Sequence, residues 1–200
     1  MHHTARRIEN MQQEVHKFNS KTKDDLRMLS NFHKGRLTIE ARNYPSGEAA
    51  FHGEKFQTAS TAPWIHPDRS KFLAEYATLF QSQESPLKAR KMGGKHECEL
   101  TKHEMREWDK WIADRIQRLI CRAKMKDRVI FGIVMDHSKT GKFYHQDNHA
   151  RSTTPWGCKI IKESLEVIGM NKLGKIWDEV AEYHESVPHA NKKPRRAEVL

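Results

Sequence analysis

Residues 44–56 read Tyr-Pro-Ser-Gly-Glu-Ala-Ala-Phe-His-Gly-Glu-Lys-Phe. Pro45-Ser46 is a turn dipeptide, and Ser46 is a good N-cap, so the spacing predicts a helix from about Gly47 to Thr58. On such a helix Glu48 and Lys55 stand seven residues apart, which leaves them roughly 20° apart around the axis and about 10 Å apart along it. Phe51 and His52 fall between them at i+3 and i+4. A carboxylate and an amine on one face, with an aromatic ring and an imidazole between, can be two unrelated surface charges. They can also touch one small ligand. The chemistry that this pair suits is cleavage of a glycosidic bond, the carboxylate steering water or stabilising a sugar cation and the amine attacking the anomeric carbon. Gly53 weakens the helix by roughly 1 kcal/mol relative to Ala, a cost that points to close approach of a ligand or a neighbouring backbone.

Outward from this stretch the helix signals are local and repeated. Ser85-Pro86 is a cap followed by proline at the first helical position, and Gly93-Gly94 is a stop. Thr101 and Glu104 form a capping box that opens a helix over about 102–125, with Met105, Trp108, Ile112, Ile116 and Ile120 on its apolar side. Asp68 reads as the cap of a helix whose stripe is Phe72, Tyr76 and Leu79 or Phe80. Asp127 caps a short apolar segment that composition fits to a helix or a strand. Residues 37–41 and 142–146 read as short strands. Two further helices are expected over about 159–167 and 171–184. The expected fold is therefore α+β: a predominantly α-helical single domain with a few short strands. Its expected bounds are 25–186, with a polar basic arm over 1–24 and a basic disordered tail over 187–200.

Composition narrows the partners. The chain of 200 residues carries a formal charge of +10, with hydrophobic residues at 36% and charged residues at 31%. That allows one core with polar ends, and the charge favours phosphates, nucleotides or nucleic acid. Cys98, Cys121 and Cys158 are odd in number and widely spaced, so no disulfide framework is expected, and reduced thiols suit a cytoplasmic setting. No apolar run has membrane length, so a membrane partner is not expected. His52-Gly53-Glu54 matches the H-x-E of zinc deaminases but lacks the downstream P-C-x-x-C. His96, Cys98 and His103, or His145 and His149, do not complete a ligand set, so no metal is expected. The absence of a P-loop and of G-x-G-x-x-G leaves no cofactor implied.

Six blocks in order resemble the NADAR family of N-glycosidase-like domains. They are Ser30-Asn31-Phe32; Tyr44-Pro45-Ser46-Gly47-Glu48 with Lys55-Phe56; the run from Ser85-Pro86 through Ala89-Arg90 to Gly93; Ala123-Lys124-Met125; Trp156-Gly157; and Asn171-Lys172-Leu173-Gly174. The resemblance spans about residues 29–180. It implies an N-glycosidase that hydrolyses the C1′–N bond of a ribosyl phosphate or of ADP-ribose. Two substrate classes are implied: ADP-ribose attached to guanine in nucleic acid, and phosphoribosylamino-pyrimidine intermediates of riboflavin synthesis. A non-catalytic ADP-ribose or nucleic-acid binding module on the same scaffold is the alternative.

The resemblance implies Glu48 as the catalytic carboxylate. Lys55 is either a phosphate or ribose contact or a nucleophile that forms an imine with the opened sugar. Asn31, Phe32, Tyr44, His52, Arg90, Trp156 and Asn171 are the implied substrate contacts. For Trp156 core packing competes with stacking on a base, for Asn171 a helix N-cap competes with a ribose contact, and Lys88 and Arg90 fit a phosphate or a solvated face. Three positions depart from the family pattern. Ala49 stands where a His usually follows the Glu, Met125 replaces a Phe, and Thr153-Thr154-Pro155 precedes Trp156 where an acid is usual, the nearest acid being Asp147.

Overall fold

The computed structural model describes residues 6–7, 13–94, 100–108, 112–164 and 166–187. In chain order the elements are β1 (Arg6–Arg7), β2 (Glu14–Phe18), β3 (Lys34–Ile39), β4 (Arg42–Ser46), α1 (Gly47–Ser60), α2 (Pro67–Thr78), α3 (Pro86–Gly93), α4 (Lys102–Glu107), α5 (Ala113–Lys124), α6 (Arg128–Ser138), β5 (Gly141–His145), β6 (Lys159–Ile160), β7 (Glu166–Ile168) and α7 (Lys172–Ser186). Three small sheets, β1-β7-β6, β2-β5 and β3-β4, surround the helices. This is the α+β, mainly helical architecture that the sequence predicts.

The local signals act as expected. The Ser46 hydroxyl accepts from the Ala49 amide, the Ser85 hydroxyl from Lys88, and the Asp127 carboxylate from Val129 and Ile130, while Thr101 and Glu104 make the reciprocal capping box. Asp127 thereby decides its segment for a helix, α6. Other expectations are corrected. α2 is capped by His66, and its inward residues are Leu73 and Ala77, continued by Phe80; Phe72 and Leu79 are half exposed. The stripe is therefore turned by one position. Residues 159–167 form the β6–β7 hairpin, in which Lys159 pairs with Ile168 and Ile160 with Val167. Ile160, Ile161, Val167 and Ile168 are β-branched, and their side chains pack on a pleated surface more readily than on a helix. The arm expected over 1–24 contributes β2 to the fold. β2 runs parallel to β5, Glu14 facing Gly141 and Phe18 facing His145, and Phe18 is fully buried. The close approach depends on Gly141, because a Cβ there would meet the Glu14 carbonyl oxygen at 2.0 Å. Residues 109–111 of the helix expected over 102–125, and the tail beyond Val187, lie outside the described residues.

Two apolar clusters make the core. One gathers Tyr44, Phe56, Leu73, Phe80, Trp108 and Ile116 around α1, and the other gathers Phe18, Leu29, Ile133, Phe143 and Trp177 around α7. Trp156 packs against both. α5 also spans the two, and at its end the ammonium of Lys124 is 2% exposed and donates to the carbonyls of Met28, at 2.9 Å, and Ser30, at 2.6 Å. Burial pulls this amine down to about 8.

Lys124→Met keeps the volume but leaves two buried carbonyls without a donor, and should destabilise the fold by about 3 kcal/mol in urea denaturation. The sign of the pH dependence follows from the lowered value. From about 8 up to the ordinary 10.5 the unfolded chain holds a proton that the folded chain has released, so stability rises with pH. The advantage of wild type over Lys124→Met should grow across that window.

Candidate active site

α1 begins directly at the end of β4, so the Ser46 cap fixes where its first turn faces. The Glu48 amide donates to the Asn31 carbonyl at 2.9 Å, which ties the helix start to the Ser30-Asn31-Phe32 loop. Glu48 therefore stands in the first turn, where the positive end of the helix favours an anion. Its carboxylate meets His52 Nε2 at 3.3 Å, with both side chains only about one-eighth exposed (13% and 12%). Phe51, one residue earlier, packs edge-on against Trp108 and Trp156, at ring-centre distances of 5.0 and 5.4 Å.

The other side of His52 rests on Gly93. A Cβ at Gly93 would lie 2.1 Å from His52 Cγ and Nδ1, so only glycine admits the ring. His52 Nδ1 is buried and has no hydrogen-bond partner among the described residues. The Gly93 carbonyl also accepts from Lys55 Nζ, in a short contact. Lys55 is 7% exposed and borders a cavity of about 210 Å³ whose wall includes Thr58, Trp64, Glu104 and Trp108. Glu48 and Lys55 thus leave one face of α1, as the spacing predicts, with His52 between them. Glu48 is not part of the wall of the Lys55 cavity.

A third element completes the surroundings of Glu48. His145, the last residue of β5, is electrostatically coupled to Glu48, Asp147 and Arg90. Its Nδ1 lies 3.3 Å from the Trp156 carbonyl oxygen, a contact that places the proton on Nδ1 and leaves Nε2 with its lone pair. Burial holds the imidazole below its ordinary value; the Trp156 carbonyl and the two carboxylates oppose this and Arg90 adds to it. Arg90, exposed on α3, reaches over the Phe32 ring at 5.9 Å. The acid absent before Trp156 in sequence has a neighbour in space: Asp147 lies across from Gly157, where a Cβ would come 2.8 Å from Asp147 Cβ.

Of the expected contacts, His52 meets Glu48 directly, Trp156 packs on the neighbouring Phe51, and Arg90 lies over the Phe32 ring. Three others have structural tasks. Asn31 and Gln117 exchange amide hydrogen bonds at 2.8 and 3.1 Å. The Tyr44 hydroxyl donates to Glu54 Oε1, and Arg42 makes two further bonds to the same carboxylate, on another side of α1. Asn171 accepts from the His145 amide and donates to the Phe143 carbonyl, so its side chain extends the edge of β5 and caps nothing in α7. Asn171 is thus a support for His145. His145 had no signal in periodicity, because its place is set by a strand end and by Asn171 from 26 residues away. Among the described residues no group of three or more His, Cys, Asp or Glu side chains could hold a metal ion, and His96 and Cys98 lie outside them. Cys121 and Cys158 are buried, which pushes their thiols up to about 12 and about 11, far from a thiolate nucleophile.

Fold and site together define a single α+β domain that presents a part-buried carboxylate beside an imidazole, with a tryptophan packed on the adjacent Phe51, at the start of a central helix. The solution structure of the Escherichia coli protein YbiA is similar to this chain, with a TM-score of 0.62 at 20% identity over 88% of each chain. The chain therefore has the YbiA fold. No protein-family model and no curated protein matches the sequence. Among the described residues no helix is long and apolar enough to cross a membrane.

Gly93→Ala tests the platform under His52. The methyl group displaces the ring from Glu48 and moves the carbonyl that holds Lys55. The expected cost is about 2 kcal/mol in chemical denaturation, as for overpacking, with a change in the His52 ring resonances.

Proposed function

We propose that this chain is an N-glycosidase that cleaves the C1′–N bond of a ribosyl-phosphate or ADP-ribosyl substrate. The observation that carries the reading is the environment of Glu48: a carboxylate screened from bulk water, next to His52 and coupled to His145, beneath an aromatic edge formed by Phe51 and Trp156. The fold likeness to YbiA agrees with it. In the reaction the electron pair of the C1′–N bond leaves with the nitrogen, and positive charge grows on C1′ and the ring oxygen. Glu48 stabilises that charge and takes a proton from the water that adds to C1′. The departing nitrogen takes up a proton, for which neutral His145 or His52 can relay one from water. Trp156 offers its ring to the base.

Lys55 has a second route. Its deprotonated amine adds to C1′ as the C1′–N bond breaks and the base leaves with the bonding pair. The ring oxygen then leaves C1′ as the ring opens, the two amine protons passing to the departing nitrogen and the ring oxygen, which gives an imine that water hydrolyses. That route requires the amine to leave the Gly93 carbonyl. The engagement of Lys55 by Gly93 favours, as the competing reading, a binding module that holds ADP-ribose without turnover. The charge of +10 supports ADP-ribose on a nucleic-acid base over a free riboflavin intermediate, because a strand rewards distributed cations.

Incubation with an ADP-ribosylated guanine oligonucleotide and with a phosphoribosylamino-pyrimidine, followed by mass analysis, decides the substrate. Release of ADP-ribose from the first is expected, and cleavage of neither removes the reading. Glu48→Gln should lower kcat by roughly 10²–10⁴ with substrate affinity kept; a pure binder has no rate to lose. Borohydride added during turnover should leave a mass adduct on wild type and none on Lys55→Gln if the imine forms, and no adduct on either if water attacks directly.

A further inference from the structure

A second cavity, of about 340 Å³, lies between β3 and the junction of α5 with α6. Its wall carries His33, Lys34, Arg36, Lys124 and Lys126, with Asp127 as the one carboxylate. Asp127 is occupied by the cap of α6, where it accepts from the amides of Val129 and Ile130. Ion pairs hold Arg42 to Glu54, Arg115 to Glu40, Arg118 to Glu179, Lys142 to Glu182 and Lys172 to Asp114, while further exposed cations, among them Lys71, Lys88 and Lys175, are dispersed over α2, α3 and α7. Lys34, Arg36 and Lys126, all exposed, have no ion pair with a described carboxylate, and Arg27 adds a further positive charge beside His33. The concentration of unneutralised charge in one cleft is a local property, separate from the net charge of the chain.

The backbone aims this charge. The register of β3 against β4 shifts between Lys34 and Leu37, so Gly35 and Arg36 sit in a bulge, a device that redirects a side chain. Among the described residues β4 is the one strand paired with β3, which leaves the other edge of β3 to the cleft. Lys124, the buried cation, already gives two of its N–H groups to Met28 and Ser30. A site for one free phosphate would converge several donors on one point. Here Lys34 and Arg36 stand two residues apart on the strand, about 7 Å, with Lys126 on the turn opposite, so the donors are spaced for successive phosphates of one strand.

The cleft also adjoins the active site along the chain. His33 follows Asn31 by two residues, and Asn31 holds the amide of Glu48. Phe32, between them, faces the same rim as Arg90.

We infer that this cleft is a phosphate-backbone track for single-stranded nucleic acid, running from the Phe32 rim along β3 to Lys126. Placement of the strand's modified base at Glu48 rests on the N-glycosidase reading; binding of the strand does not. Four phosphate contacts from Arg27, Lys34, Arg36 and Lys126 would give a salt slope of roughly −3 on a single strand.

Fluorescence anisotropy of a labelled single strand of about 20 nucleotides, titrated at salt from about 50 to 200 mM, tests the track. Arg36→Glu/Lys126→Glu should weaken binding at least about tenfold and flatten the slope by roughly 1.4. The control Lys71→Glu/Lys175→Glu changes charge equally on exposed helix positions away from the cleft and should leave most of the affinity. No strand binding by wild type, or equal losses in the two variants, overturns the inference. Turnover of a small ADP-ribosylated nucleoside is measured on the same proteins and should be unchanged by Arg36→Glu/Lys126→Glu. If wild type cleaves no small substrate but the strand still depends on Arg36 and Lys126, the track stands and the N-glycosidase reading falls. Cleavage with strand affinity indifferent to these residues gives the reverse.

Discussion

One buried ammonium organises the molecule. Lys124 ends α5 inside the protein, where no carboxylate is paired with it, and its charge is met by two backbone carbonyls of the segment 28–30. An ammonium removed from water is costly unless its N–H groups are used, so the carbonyls of Met28 and Ser30 are held facing the end of α5. That fixes the next residue, Asn31, whose amide locks to Gln117 one and a half to two turns back along α5 and whose carbonyl takes the Glu48 amide. A path of hydrogen bonds through Ser30 and Asn31 therefore runs from the end of one helix to the first turn of another. The Trp177 indole adds a bond to the Leu29 carbonyl at 3.3 Å, which brings α7 into the same arrangement. The start of α1 is consequently set by three separate parts of the chain. A carboxylate placed there keeps its position without needing a salt bridge of its own.

The consequence is visible in two glutamates on one helix. Glu54 is 1% exposed and accepts two bonds from Arg42 and one from Tyr44. Its charge is fully compensated, its lone pairs are used, and it fastens β4 to α1. Among the described residues Glu48 has one side-chain partner, His52 at 3.3 Å, and keeps free acceptor capacity. The same residue type, six positions apart, is a structural fastener in one case and a carboxylate with unused acceptor capacity in the other. The difference is the guanidinium: six positions advance about 600°, so the two glutamates face about 120° apart and Arg42 reaches one of them and not the other.

Much of this was legible in the sequence wherever a side chain acts on backbone a few residues away. The caps at Ser46, Ser85, Thr101 and Asp127 involve contacts of two or three residues, and each sets a helix start. The common face of Glu48, His52 and Lys55 follows from helical period alone. What was not legible is non-local. β2 earns its place by pairing with β5 more than 120 residues later, and a polar sequence such as Glu14-Val15-His16-Lys17 gives little sign of it. The β6–β7 hairpin shows apolar residues at a spacing that fits a helix about as well as a strand. Tyr44, Asn31 and Asn171 sit in recognisable blocks, yet each spends its polar atoms on the protein. Conserved-looking polar residues near a site can be its frame, and only the partner across the fold, Glu54, Gln117 or His145, reveals which.

Lys55 and Lys124 extend that lesson to the amines. Both are buried, and both donate to backbone carbonyls. Lys124 is 2% exposed and its amine is engaged by two carbonyl acceptors, so turning toward the cavity at the end of α5 would abandon both. Lys55 has a carbonyl at its tip and a cavity of about 210 Å³ beside it, lined by Thr58, Trp64 and Trp108. An amine in that position has space beside it for a further acceptor, which the proposed role of Lys55 requires. Gly93 is then the pivot of the site: its missing side chain admits His52 against Glu48, and its carbonyl holds the amine. The end of α3 thus couples the acid and the amine through one residue that carries no functional group.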